Sequence, residues 1–443
     1  MKRALILSVL VLMALCAPLS VWAEVARYNS GGSDFARAIA LGPSGNVYVT
    51  GQSCQSQTNC DYATVAYDRN LSRLWVARYS GPANGADNPS AIATDSAGNV
   101  YVTGESCESN GTNCDYATIA YDPNGNELWV ARYNGLGNGS DSAHALAIGP
   151  SGTIYVTGGS YASKAYNDYA TVAYDANGNE LWVARYNGLA NAHVSAQALA
   201  IGPSGTIYVT GWIEGTGTGY DYATIAYDSS GNELWAARYN GPGNGEDRAA
   251  ALATDSSGNV YVTGRSYGSG TSFDYATVAY DPSGNELWVA RYNGPGHRGD
   301  SAAALATDSS GNVYVTGRSY GGGTSFDYAT IAYDPSGNEL WVARYNGPAN
   351  LQDHAAALAI GPSGNIYVTG YSTGSGTGWD YATIVYDPNG NERAVTRYNS
   401  PANGDQIATA MAIGPYGGIY ITGYSSGTSY YDYLTVKYGG GSR

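Results

Sequence analysis

The chain has 443 residues, 12% of them aromatic and only 13% charged, with a formal net charge of −15. So acidic a chain repels a phosphate backbone, which argues against nucleic acid as a partner. Its 42 tyrosines and many valines argue equally against disorder.

The N-terminus reads as a targeting segment. Lys2 and Arg3 precede the apolar run Ala4 to Leu19, and Val21-Trp22-Ala23 follows. A charged region, an apolar region and a small-residue cleavage site predict a signal peptide over 1–23. The apolar run is short for a span of about 20 residues. Leu15 is too large to precede a lipoprotein cysteine at Cys16. The mature chain, 24–443, is therefore expected to be secreted or periplasmic, with no membrane span, and attachment at the cell surface stays open. Without Lys2 and Arg3 its charge moves from −15 to −17, and Lys164 and Lys437 are its only lysines.

The mature chain opens on "EVARYN", a single short strand, and then enters a repeat. Tyr48, Tyr101, Tyr155, Tyr208, Tyr261, Tyr314, Tyr367 and Tyr420 recur at intervals of 53 residues, once 54, each inside a variant of "SGNVYVTG". The unit 300–348 contains the runs "AAALAT", "NVYVTG", "DYATIAY" and "ELWVARY", bounded by Gly, Pro, Asn, Asp and Ser. These are strands, with no helical period. "DSSGN" and "DPSGN" are tight turns between them. Four antiparallel strands per unit, repeated, predict a β-propeller.

The small first run suits the crowded innermost strand, and the Tyr- and Trp-bearing runs suit the wider gaps outside. Trp75, Trp129, Trp182, Trp235, Trp288 and Trp341 are read as blade packing. The chain ends on "YDYLTVKY", a third strand, so the opening strand should complete the last blade. The prediction is an all-β, eight-bladed propeller, one domain, closed by pairing the N-terminal strand into the last blade, which removes exposed edges. A linear solenoid is the alternative, but the terminal units lack a polar capping character.

Cys54, Cys60, Cys107 and Cys114 lie in "CQSQTNC" and "CESNGTNC" of the first two units. Disulfides Cys54–Cys60 and Cys107–Cys114 are expected in an exported chain. Zinc is the rival, without its usual spacing or nearby histidines.

The pattern "A-x-A-[LI]-A-[TI]-x-x-S-G-N-[VI]-Y-V-T-G", with "Y-D-x-x-G-N-E-L-W" after it, resembles the bacterial β-propeller repeat called SBBP. "AYDPSGNELW" is similar, more weakly, to the tryptophan-docking repeat of quinoprotein-like propellers. Only the last copy, Val436-Lys437-Tyr438, keeps the lysine usual near the end of the SBBP third strand. The resemblance implies exported, often surface-associated proteins and no shared reaction.

Recognition is expected on the face carrying the second-to-third and fourth-to-first connections, where the repeat varies. Aromatics there are Tyr161, Tyr166, Trp212, Tyr220, Tyr267, Phe273, Tyr320, Phe326, Tyr371, Trp379, Tyr424 and Tyr430. Trp212, Trp379, Tyr220, Tyr371, Tyr267 and Tyr320 are the candidate ligand platforms, against a role covering the blade ends. Asp34, Asp87, Asp141, Asp247, Asp300, Asp353 and Asp405 precede the innermost strands, with Val194 in the fourth unit. They would ring the channel mouth. Each either binds its own loop backbone or helps hold a cation, calcium being the one cofactor left open. Asp61, Asp115, Asp168, Asp221, Asp274, Asp327, Asp380 and Asp432 open every third strand and should pair with the recurring arginine of "RY".

"GRSYG" at 264–268 and 317–321 matches a serine-hydrolase motif but lacks the helix that motif needs. His144, His193, His297 and His354 form no metal triad in the sequence. Two functions therefore stand. One is a non-enzymatic scaffold binding a carbohydrate or protein at the cell surface, expected as a monomer. The other is a polysaccharide-active hydrolase or lyase using carboxylates at the channel mouth. Catalysis needs one asymmetric constellation, and a chain that mostly repeats itself favours the scaffold.

Overall fold

The phrase Val-Tyr-Val-Thr-Gly meets a partner at each of its positions. Thr50 stands 3.1 Å from Thr64 on the neighbouring strand, both hydroxyls buried. The pair recurs in every unit, ending with Thr422 and Thr435 at 3.1 Å. Two hydroxyls that satisfy each other can be buried without an orphaned polar atom. Gly51 faces a bulge in the first strand, where the register shifts between Ala36 and Ala38. A Cβ on Gly51 would lie 2.1 Å from the Phe35 carbonyl oxygen, so the closing glycine is a steric requirement.

The computed structural model describes residues 23–439 except 56–58, 83, 110–111, 164–165, 189–192 and 428. The expected signal segment, up to Trp22, thus lies outside the described residues, as does Lys164. The described residues form eight four-stranded antiparallel sheets and no helix, hence no helix long and apolar enough to cross a membrane. Blades 1 to 7 span 33–79, 87–133, 142–186, 194–239, 247–292, 301–345 and 353–398, each built of four consecutive strands. Blade 8 takes three strands from 406–438, and its outer strand is Glu24–Tyr28, paired antiparallel to Tyr431–Tyr438 with Arg27 opposite Leu434. Each blade's first strand touches the first strands of both neighbours, including Gln406–Ile413 against Ser33–Leu41. The ring is closed as the terminal strands predict.

Its core is divided among the blade interfaces. Tyr48, Tyr62 and Tyr79 of blade 1 bury against Val100, Val102, Ile119 and Tyr121 of blade 2, and the set recurs around the ring. The Tyr62 hydroxyl donates to the Ala117 carbonyl across the interface, and at the seam Tyr433 donates to Ala63 at 3.1 Å. The indole of Trp75 lies between Tyr48 and Tyr121, and its Nε1 donates to the Pro123 carbonyl of the next blade at 3.0 Å. Equivalent bonds run from Trp129 to Trp341. The tryptophans are blade-to-blade clasps.

Both exceptions to this clasp fall beside the closure. Blade 8 receives its outer strand from Glu24–Tyr28, so it has no turn for a tryptophan of blade 7 to dock on, and Ala394 stands there. In blade 8 the tryptophan position is Glu24, whose carboxylate pairs with Lys437 at 2.8 Å. The turn of blade 1 opposite that position carries Leu71 where other blades have glycine. Leu71 holds φ 61 and is buried with Tyr420, Tyr67 and Tyr28, occupying the volume an indole fills elsewhere.

Candidate functional site

The long connections share one face because they bond to each other: Tyr267 N–H donates to the Glu246 carbonyl, and Gly243 N–H to that of Tyr267. Beneath them lies a repeated polar unit. Arg78 pairs with Asp61 at 2.7 Å, donates to the Ser53 hydroxyl at 2.7 Å and reaches the Tyr28 hydroxyl of blade 8 at 3.0 Å. Every third-strand aspartate pairs with the arginine of its blade, from Arg27–Asp432 to Arg397–Asp380. Leaving one member of such a buried set unpaired is strongly destabilising, which explains its presence in all eight units.

The aspartates before the innermost strands complete that unit. Asp34, Asp87, Asp141, Asp247, Asp300 and Asp353 are 0% exposed. Asp141 accepts from Gly135 N–H at 2.6 Å and Tyr161 N–H at 2.7 Å, and Asp300 from Gly294 and Tyr320 at 2.7 and 2.9 Å. Burial pushes the carboxyls of Asp87, Asp141, Asp247, Asp300 and Asp353 above their ordinary range, against the pull of these donors. Each carboxylate is engaged with its own loop, and no three His, Cys, Asp or Glu side chains converge on a metal position among the described residues. Asp34, Asp87, Asp141, Asp247, Asp300 and Asp353 are thus tied to the backbone of their own loops.

One member of that set needs correction. Asp405 does not align with the other six; the equivalent residue is Gln406, opposite Ser425 as Asp353 is opposite Ser372. Gln406 accepts from Ser400 N–H at 3.2 Å, whereas Asp405 is half-buried and accepts from Trp379 N–H at 3.1 Å. The sequence held the signal, since six of the aspartates stand 14 residues before the repeat tyrosine and Asp405 stands 15 before Tyr420. Blade 4 exchanges the polar pair for an apolar one, Val194 opposite Ile213, both buried.

The candidate platforms divide into two kinds. Tyr267 and Tyr320 pack edge-on against Phe273 and Phe326 directly across the sheet. In blades 1 and 2 these cross-strand positions hold the disulfides Cys54–Cys60 and Cys107–Cys114, both formed. The Tyr267 ring also sits on Gly243 and Gly245, where a Cβ would approach to 2.7–2.8 Å. Tyr267 and Tyr320 therefore brace loops as well as facing solvent.

Trp212, Tyr220, Tyr371 and Trp379 lie where residues of adjacent blades meet. Trp212 and Tyr220 contact edge-on at 4.6 Å, and the Arg248 guanidinium of blade 5 covers both, at 4.9 and 4.7 Å. His354 of blade 7 touches Phe326 of blade 6, stacks on Tyr371 at 4.7 Å, and faces the Arg318 guanidinium at 3.5 Å. Burial first, and Arg318 second, lower its pKa to about 4. Tyr371 continues to Trp379 at 5.2 Å. Phe35 of blade 1 packs on Tyr424 and Tyr431 of blade 8. Arg265 and Arg318 lie over Phe273 and Phe326 at 4.8 and 5.0 Å.

From blade 4 to the seam the loop face thus carries an arc of half-buried aromatics and arginines. At equivalent positions blades 1 to 3 offer Gln52, Asn88, Glu105, Ser142 and Gly159. The arginines and His354 were missed as site residues because each looks like ordinary variation inside its own strand. Tyr161 lies against the loop glycines Gly137 and Gly139, and Tyr430 is exposed. The side chain of Tyr166 lies outside the described residues. Ser266 and Ser319 of the two "GRSYG" strings are fully buried and take hydrogen bonds from Arg291 and Arg344, an arrangement with no nucleophile in it.

Eight closed blades and a decorated loop face define a β-propeller scaffold. A model of the SBBP β-propeller repeat matches residues 74–113, 235–271 and 287–324, each segment running from an outer strand into the next blade. No curated protein matches the chain. Similar solved structures include the β-propeller domain of the trilobed protease from Pyrococcus furiosus, at 10% identity over 80% of this chain and 95% of that one, TM-score 0.47. YCF48 bound to D1 peptide matches at 10% identity over 95% and 98%, TM-score 0.47. The polysaccharide lyase Uly1 matches at 12% identity over 94% and 98%, TM-score 0.45.

Proposed function

We propose that the protein is an exported, non-catalytic scaffold that binds a carbohydrate or a protein at the cell surface through its long-loop face. One observation carries this reading. The buried machinery repeats faithfully, while the loop face departs from the repeat along a single arc, from Trp212 and Tyr220 through His354 and Trp379 to Phe35. Half-exposed aromatics on a rigid frame suit recognition, because little entropy is lost on contact. The buried aspartates are sealed and engaged, which favours binding over a carboxylate-based hydrolysis. The two disulfides support an oxidising compartment.

Screening the mature chain against glycans and cell-surface extracts tests this. A ligand whose capture falls on Trp212→Ala and Trp379→Ala is the expected result. Capture insensitive to every substitution on the arc, or turnover of a polysaccharide abolished by one carboxylate substitution, would overturn it.

A further inference from the structure

Positive charge is scarce in this chain, and most of it is committed to the fold. Eight arginines are held by the third-strand aspartates. Arg393 pairs with Asp387, and Lys437 with Glu24. Arg248 and Arg265 share the single carboxylate of Glu246. Arg298 and Arg318, by contrast, meet no carboxylate within 4.0 Å among the described residues; their neighbours are rings. Arg298 lies 4.9 Å over Tyr320 and donates to its hydroxyl at 3.2 Å. Arg318 lies 5.0 Å over Phe326. A guanidinium stacked on a ring keeps its in-plane N–H groups free for a planar anion.

Arg298 and Tyr320 also stand at a cleft in the loop face. A cleft of about 470 Å³ is lined by Pro295, Gly296, Arg298, Tyr320 and the glycines 321–323. Beside it, blade 6 places Ser301 where blade 5 has Arg248 and blade 7 has His354. No ring or cation of blade 6 lies over Phe273 among the described residues. The notch, Arg298 and Tyr320 thus belong to blade 6 and the loop before it, with Phe273 on the preceding blade and Arg318, beside His354 of blade 7, two residues along the strand from Tyr320, in a protein otherwise acidic.

We propose that this region binds an acidic polysaccharide, with carboxylated sugars seated on Phe273 and Tyr320 and their carboxylates taken by Arg298 and Arg318. The inference rests on the binding role proposed above and names its ligand class. A repeating polymer is favoured over an acidic peptide by the periodicity of the site. Arg265 on Phe273 and Arg318 on Phe326 repeat the same arrangement one blade apart, and packed sheets stand about 10 Å from one another, within the reach of neighbouring sugars in one chain. Pyranose rings also present flat C–H faces to aromatic rings, which acidic side chains do not.

The test is calorimetric titration of the mature protein with galacturonate oligomers, their fully methyl-esterified forms, and a poly-glutamate peptide. The expected result is binding of the acid form, weakened about tenfold or more by methyl esterification and by Arg298→Gln or Arg318→Gln. Affinity should also fall as salt rises. Arg73→Gln, exposed near the first blade's tight turn, should change nothing, and retained melting temperature excludes misfolding. Equal binding of poly-glutamate with the same arginine dependence would overturn the glycan assignment in favour of a protein partner. Binding of neutral glycans through Trp212 or Trp379, with none to the acid oligomers, would sink this inference and leave the broader binding role standing. No binding of the acid oligomers at all also overturns it.

Discussion

The indole of Trp75 in blade 1 lies so close upon Gly125 in blade 2 that a Cβ on the glycine would stand 2.6 Å from the ring. Five more tryptophans meet five more glycines in the same way, down to Trp341 on Gly390 at 2.6 Å. Where the tryptophan is replaced by Glu24, the glycine is replaced by Leu71. The two positions change together because one volume must be filled once.

Leu71→Ala should therefore lower stability by about 2–3 kcal/mol, since it empties a buried site at the seam. Glu24→Trp alone should be destabilising because Leu71 occupies the space. Glu24→Trp combined with Leu71→Gly should recover stability relative to either single variant. Denaturant midpoints of the four proteins form the cycle, and additive effects would disprove the shared volume.

Closure predicts a second outcome. A chain beginning at Gly31 loses the strand that buries Ala26 and Tyr28 and the Lys437–Glu24 pair. It also exposes an unpaired edge at Tyr431–Tyr438. A large drop in melting temperature with aggregation is expected; unchanged melting would refute closure by this strand.

Blade 4 shows that the buried aspartate and its serine are exchanged as a pair. Asp300→Val should be severely destabilising, about 2–4 kcal/mol, because it strands the N–H donors of Gly294 and Tyr320 and the Ser319 hydroxyl. Asp300→Val with Ser319→Ile should be milder than the sum of the two. Added calcium or chelator should leave the melting temperature of the parent chain unchanged, as the carboxylates are already engaged; a rise with calcium would refute that.

His354 gives the pH dependence a direction. Its folded pKa is lowered to about 4, chiefly by burial, from an ordinary value of 6.5. Below pH 6.5 the unfolded chain takes up the proton first, so the stability this neutral imidazole contributes is lost as pH falls from 6.5 towards 4. His354→Phe, which keeps a ring beside Tyr371, should gain stability relative to the parent across that window. Parallel melting curves at pH 7 and pH 4.5 with no change in their difference would contradict the assignment.

Much of this molecule follows from local chemistry. Strand period, turn residues and the repeated Trp and Tyr act within or between adjacent strands, so blade count, closure and both disulfides could be read from the residues in order. The acid register was equally readable, at the 14-residue spacing to the repeat tyrosine, and Asp405 was misplaced by one position. The rings of the arc at Trp212, Tyr220, Tyr371 and Trp379 were legible in the sequence, but not the cations and cross-blade contacts that join them. Arg248 lies over Trp212 and Tyr220, and His354 beside Phe326, only because successive sheets pack face to face around an axis. That packing brings side chains from different blades into one cleft, and no pattern confined to a single strand encodes it.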